Sequence, residues 1–239
     1  MTATQSSSDR AIPAPLLEQL RRNPPFSLLS EATWLSAHHQ LQLRRYPLGR
    51  RLLRPDELPS DVLLLLSGEV RLLVQELNSD DLFTLKRGQA GRLIGWSSLL
   101  RGAPCEAVYA ASDCVALAWP AEFFVAAFRQ EPDFRAHFQD RLDAHETWST
   151  VQAWLDGQPV RSRLSRERLC EGLNRCLVRS YAPGWSEPVV FPDGYCWLLS
   201  SGLADGVSLG TALTQEQRAR LKPRSDATLP LRLVGVPLD

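Results

Sequence analysis

Between Leu41 and Trp119 the apolar positions come in short runs, "LQLRRY", "RRLLRP", "DVLLLLSGEVRLLVQEL", "LFTLKRG", "GRLIGW" and "CVALAW". Gly49, "RPDELPSD", Ser67-Gly68, "NSDD" and Gly88 punctuate them. Short Val-, Leu- and aromatic-rich runs bounded by turn formers predict strands of a sandwich or barrel. The gaps are too short for the helical crossovers that a parallel sheet requires. Upstream, Pro13 and Pro15 open the apolar segment "PLLEQL", and Ser27 or Ser30, followed by Glu31, starts a second one. Two short helices are therefore expected before the first strand.

The period changes after Pro120. Phe134, Phe138 and Leu142 step by four, and Trp148, Val151 and Leu155 continue at helical spacing with polar residues between them. "AEFFVAAFRQ" and "PDFRAHFQDRLDAHETWSTVQAWLDG" thus read as two helices, broken at Pro132 and closed at Gly157. Their aromatic stripe suits a core-facing side, with a seam between two copies as the alternative. Beyond it, "QPVRSRLSRERLCEGLNRCLVRSY" reads as a linker and an Arg-rich helix, and a β-like stretch ends at "LPLRLVGVPLD". Glu167 and Glu171 interleave with the arginines from Arg161 to Arg179, which favours a solvated helix face over a phosphate-binding one. There is also an internal echo: "RRYPLG" (44–49), Pro55 and "LLLLSG" ending at Gly68 are matched in order by "RSYAPG" (179–184), Pro192 and "WLLSSG" ending at Gly202. The expected organisation is a polar arm over residues 1–12, a β-roll with entry and exit helices over 13–157, and a linker helix with a degenerate second β unit over 158–239.

Composition narrows the function classes. The chain has 239 residues, 44% of them apolar, and Lys+Arg and Asp+Glu are each 27. A sizeable core is affordable, and no global positive field draws nucleic acid or an anionic bilayer. No apolar run approaches the roughly 20 residues that span a bilayer, and "MTATQSSSDR" has no signal-like apolar core. A cytoplasmic protein without membrane insertion is the expectation. Cys105, Cys114, Cys170, Cys176 and Cys196 include no closely spaced pair, so reduced thiols are expected and no metal site. His38, His39, His137 and His145 all fall on predicted helices, against the converging histidines of a cupin-type metalloenzyme. Ser97 and Ser98 have no suitably placed His and Asp, and no HExxH, Walker or GxSxG pattern occurs, so no catalytic residue and no cofactor is expected.

The stretch "IGWSSLLRGAPCEAV" (94–108) gives these elements a frame. Together with "FSLLSEATWLSAHHQLQLRRYPLG", "LLLLSGEVRLL" (read as a strand pair turning at Gly68), "LKRGQAGRLIGW" and the exit helix "AEFFVAAF", it makes residues 26–138 resemble the cyclic-nucleotide-binding domain of the catabolite activator, protein kinase A regulatory subunits and gated channels. The resemblance implies a mainly β fold with flanking helices, a double-stranded β-helix or jelly roll, followed by the smaller C-terminal β-containing unit. It also implies that Gly95, Trp96, Ser97, Ser98, Leu99, Arg101, Cys105, Glu106 and Ala107 line a phosphate-binding cassette. In that cassette backbone N–H groups meet the cyclic phosphate, an Arg pairs with it, and a Glu accepts from the ribose 2′-hydroxyl.

This chain keeps the frame and replaces the charges. Trp96 stands at the Glu position, and an indole only donates. Cys105 stands at the Arg position, and Glu106 adds a negative charge where the anion would sit. A buried phosphate without its charged partner costs about 3–5 kcal/mol, or roughly two to four powers of ten in affinity. Cyclic nucleotide is therefore disfavoured as a ligand unless Arg101 or Arg92 replaces the missing charge. Trp96 is expected to fill the vacated volume or to stack on a flat neutral ligand.

These features favour a non-catalytic regulatory or protein-docking module, acting on a protein partner or as a homodimer through the exit helix. Its layout further resembles the cytoplasmic N-terminal region of cyanobacterial peptidase-containing ABC peptide exporters. A catabolite-activator-type transcription regulator would need a helix-turn-helix after the exit helix. Pro183, Pro188, Pro192 and "GYCWLLSSG" suit strands instead, and nucleic acid is disfavoured as a partner.

Overall fold

The computed structural model describes residues 12–156, 158, 165–181, 190–204, 206–221 and 228–238. Most of the arm, Gly157, Arg161, Arg163, Pro183, Gly184 and Pro188 lie outside them. Helix α1 (Ala14–Arg21), a 3-10 turn (Phe26–Leu28) and α2 (Glu31–His38) open the chain. Ser30 caps α2 by accepting from the Thr33 N–H, the Ser-then-acid signature read from the sequence.

Eight strands follow: β1 (Gln42–Tyr46), β2 (Arg51–Leu53), β3 (Asp61–Ser67), β4 (Glu69–Gln75), β5 (Leu82–Gln89), β6 (Leu93–Ile94), β7 (Ala107–Ala110) and β8 (Cys114–Pro120). They form two four-stranded sheets, β1-β8-β3-β6 and β2-β7-β4-β5, so the chain crosses between layers repeatedly as in a jelly roll. Gly68 is the corner at which it passes from β3 in one sheet to β4 in the other. The sequence reading of a pair turning at Gly68 is corrected by this pairing.

Alternation along β8 explains why "CVALAWP" is apolar throughout. Ala116 and Ala118 face the inside of the roll with Leu63, Leu72 and Val108, whereas Leu117 and Trp119 face an outer layer of helices with Phe26, Phe124 and Phe134. A strand buried on both faces needs no polar positions.

That outer layer includes α4 (Ala121–Gln130) and α5 (Pro132–Gln139), and α6 (Ala144–Leu155) follows. The break at Pro132 agrees with the sequence, but the second expected helix is two. Asp143 caps α6 by accepting from the N–H groups of His145 and Glu146, so Leu142 falls off the stripe into a turn and is 36% exposed. Phe134, Phe138, Trp148, Val151 and Leu155 are each no more than 2% exposed within this one chain. A seam between two copies therefore cannot run through that stripe.

The C-terminal part holds α7 (Arg166–Leu173), β9 (Leu177–Tyr181), β10 (Tyr195–Leu199), α8 (Gln215–Arg220) and β11 (Leu231–Pro237). Two strands separate α7 from α8, so the described residues after α6 contain no helix-turn-helix. Helix α8, absent from the sequence expectation, starts at a Thr214/Gln217 capping box. β11 lies antiparallel between β10 and β9, as β8 lies antiparallel between β3 and β1. Residues 182–184 of the echo noted in sequence lie outside the described residues.

Candidate functional site

The cassette forms α3 (Trp96–Arg101), preceded by Gly95 at φ 92° and followed by Gly102 at φ 63°. The positive φ at Gly95 turns its N–H to the same side as the N–H of Ser98, a concave pair of donors suited to an anion. The occupant is the side chain of Glu106. Its Oε1 accepts from the Gly95 N–H at 2.8 Å, and its Oε2 accepts from the Ser98 N–H at 3.2 Å and the Ser98 Oγ–H at 2.9 Å. Glu106 is 2% exposed. Burial, and then the charge of Asp143, raise its carboxyl to about 7, against the lowering effect of those three donors.

The other sequence-expected residues divide around this contact. Ser97 and Ser98 place their hydroxyls 3.9 and 3.4 Å from the Cys105 Sγ, and burial pushes that thiol up to about 12. Ala107 begins β7, which the sequence reading absorbed into the cassette. Leu99 joins the helical core. Trp96 points away from the donors, its ring 5.3 Å from that of Phe138 and flanked by the guanidiniums of Arg141 and Arg232, each 5.8 Å away. It packs within the core of the outer helical layer. Arg101 is fully buried and its Nε donates to the Ser200 carbonyl at 2.6 Å, across to the C-terminal sheet. Arg92 approaches Asp143 at 3.5 Å. The Arg101 charge acts on the Cys105 thiol, and the Arg101 Nη1 is buried without a hydrogen-bond partner among the described residues, whereas the Gly95–Ser98 donors are held by Glu106.

Several residues were missed from sequence. Between the cassette and α6 lies a hollow of about 200 Å³, lined by Cys105 and Ala107 on one side, Leu73, Val74 and Leu82 on another, and Trp148 on α6. Trp148 is 1% exposed and packs edge-on against Phe83, so α6 forms one wall of this space. Glu106, Asp143 and His145 bring ligand-type atoms within 4.8 Å of one another. Asp143 Oδ1 caps α6 while Oδ2 faces Arg92, and His145 Nε2 lies 3.3 Å from the Leu73 carbonyl while its Nδ1 is buried without a partner among the described residues. Burial holds the His145 imidazole below its ordinary range. The sequence carried one signal for this group, the helix-start pattern Asp143-x-x-Glu146.

Residues 43–131 match the family model of the cyclic nucleotide-binding domain. This segment, less than half of the chain, is similar to that family. The cyclic nucleotide-binding domain accounts for β1–β8, the cassette and α4, and α5, α6 and the C-terminal sheet lie beyond it. No curated protein sequence matches the chain. Solved structures with a similar course include the regulatory domain of Toxoplasma gondii PKA with cAMP (16% identity, TM-score 0.45, covering 95% of this chain and 91% of that one). Others are the sensor domain of the transcriptional regulator DNR from Pseudomonas aeruginosa (12%, 0.44, 64% and 96%) and a cyclic nucleotide-binding domain from Methylobacillus flagellatus (19%, 0.41, 65% and 80%).

Proposed function

We propose that this chain is a non-catalytic regulatory or docking module whose cyclic nucleotide-binding domain is occupied from within. The carrying observation is the Glu106 carboxylate on the N–H groups of Gly95 and Ser98. An entering phosphate would need to displace it and would then face its charge. Where Glu106 is ionised, two like charges about 4 Å apart at an effective dielectric near 20 repel by about 4 kcal/mol. With its carboxyl raised to about 7, protonation relieves that repulsion near neutral pH. The missing guanidinium at Cys105 also acts against the phosphate. Trp148 and the tethering of α3 and α6 to the C-terminal sheet further support a domain fixed in one arrangement.

A fixed roll is suited to holding a protein partner. The resemblance in layout to peptide-exporter regulatory regions names one partner class, and it rests on that layout alone. We read the C-terminal unit as a second roll reduced to one sheet, because its strand order repeats β1-β8-β3.

Calorimetric titration with cyclic AMP and cyclic GMP tests the occupancy. The expected dissociation constant is about 1 mM or weaker. A value below about 10 µM that Arg101→Ala abolishes would replace this reading with a second-messenger sensor.

A further inference from the structure

A second cavity, of about 740 Å³ and within the size range of small-molecule sites, is lined by β1, β2, the segment between β2 and β3, and Tyr109 of β7. Its lining shares no residue with the hollow beneath Trp148. Arg44, Arg50, Arg51 and Arg54 line it, together with Tyr46 and Tyr109, and Glu57 and Asp61 are its acidic residues. Four guanidiniums against Glu57, Asp61 and the Asp56 that holds Arg54 leave a surplus of one positive charge in a concave place, where low-dielectric walls such as Leu53 and Leu63 focus the field.

The arginines fall into two kinds. Arg44 is held by Asp61 through two bonds, 2.7 and 3.1 Å, and Ser60 Oγ donates to the same carboxylate at 2.7 Å. Arg54 is held by Asp56 at 3.0 and 2.7 Å and by Glu57 at 3.3 Å. Arg50 and Arg51 form no ion pair within the described residues, and both are exposed to the cavity. The register of β2 on β7 slips between Arg51 and Leu53. Such bulges re-aim a side chain and are common beside binding sites. This one sets Arg51 directly across from Tyr109. The preceding turn is fixed by the Gly49 N–H on the Ala110 carbonyl at 2.9 Å, which holds Arg50 at the rim.

We propose that this cleft binds a phosphorylated small molecule with a planar ring, its phosphate on Arg50 and Arg51 and its ring against Tyr46 and Tyr109. Guanidinium forks match phosphate oxygens in pairs, and a Tyr ring presents a large apolar face with a polar tip. The lining shares no residue with the cassette, although Leu53, Pro59 and Asp61 lie against Gly95.

The test is calorimetric titration of the full chain with inorganic pyrophosphate and with adenosine diphosphate. Saturable one-to-one binding of both is expected, weakened at least about tenfold, the worth of a charge-assisted hydrogen bond, in Arg50→Ala/Arg51→Ala. Both positions are exposed, so the variant should retain the wild-type circular dichroism and melting temperature. Tyr109→Leu should weaken adenosine diphosphate several-fold and leave pyrophosphate unchanged. Absence of saturable binding at about 1 mM of either probe, or equal affinity in the double-arginine variant, would overturn the proposal. Equal loss of both probes in Tyr109→Leu would overturn its ring-binding part.

Discussion

Arg232 on β11 and Glu146 on α6 form an ion pair in which neither side chain has any exposed surface. Nε donates to Oε1 at 2.9 Å and Nη2 to Oε2 at 2.8 Å. The remaining donors of Arg232 reach the carbonyls of Gln139 at 2.6 Å and Arg141 at 2.9 Å, so one guanidinium satisfies the end of α5, the following turn and the start of α6. Ser200 Oγ donates to the same Glu146 carboxylate at 2.9 Å.

Removing one partner of such a pair leaves an uncompensated charge. Arg232→Met is expected to destabilise the chain by about 3–5 kcal/mol in denaturant unfolding. Adding Glu146→Leu should recover only part of this, because the carbonyls of Gln139 and Arg141 stay without donors. Full recovery in the double variant would show that the ion pair alone accounts for the effect.

Glu106 makes stability depend on pH in a definite direction. Its folded-state value, about 7, lies above the ordinary 4.5, so between those values the folded state holds more protons than the unfolded one. Its stabilising contribution is complete below about 4.5 and is lost as pH rises through about 7. Chemical unfolding of wild type and Glu106→Gln from pH 4.5 to 8 should show this decline in the difference between them; parallel curves would refute the assignment.

Cys105 should be inert in the folded protein. Its thiol is 8% exposed and burial raises it to about 12, whereas alkylation proceeds through the thiolate. Iodoacetamide at pH 8 followed by peptide mass spectrometry should leave Cys105 unmodified until denaturant is added. Native labelling at the free-thiol rate would contradict the geometry.

The turn at Gly202 is a tight contact between the two parts of the chain. Its N–H donates to the Arg101 carbonyl at 2.9 Å, and a Cβ there would come within 2.9 Å of the Gly102 carbonyl oxygen. Gly202→Ala should therefore cost about 1–3 kcal/mol, with Gly172→Ala, on helix α7 where space is open, giving a control for the glycine change itself. A thermal melt of both variants distinguishes steric clash from loss of backbone freedom.

The strands were legible because each short run is bounded by Gly, Pro or Asp and because β8 alternates between two buried faces. The cassette was legible through Gly95 and the order of elements around it. β7 was missed because "AVYA" follows the cassette with no turn residue between them. The capture of the donors by Glu106 is a long-range fact: the sequence placed a negative charge nearby, and only the fold shows which N–H groups it meets. Arg232 carried no signal, since a charge at one position of an apolar strand reads as outward-facing, and its partner lies 86 positions away.

The single layer formed by β9, β10 and β11 has no opposite sheet among the described strands. Leu198 packs instead with Val74 and Trp148, so the first half supplies the lid that the second half lacks. A cut between the halves would strip shelter from both at once, and the pair is best regarded as one cooperative folding unit whose two ancestral-looking pieces have become mutual scaffolds.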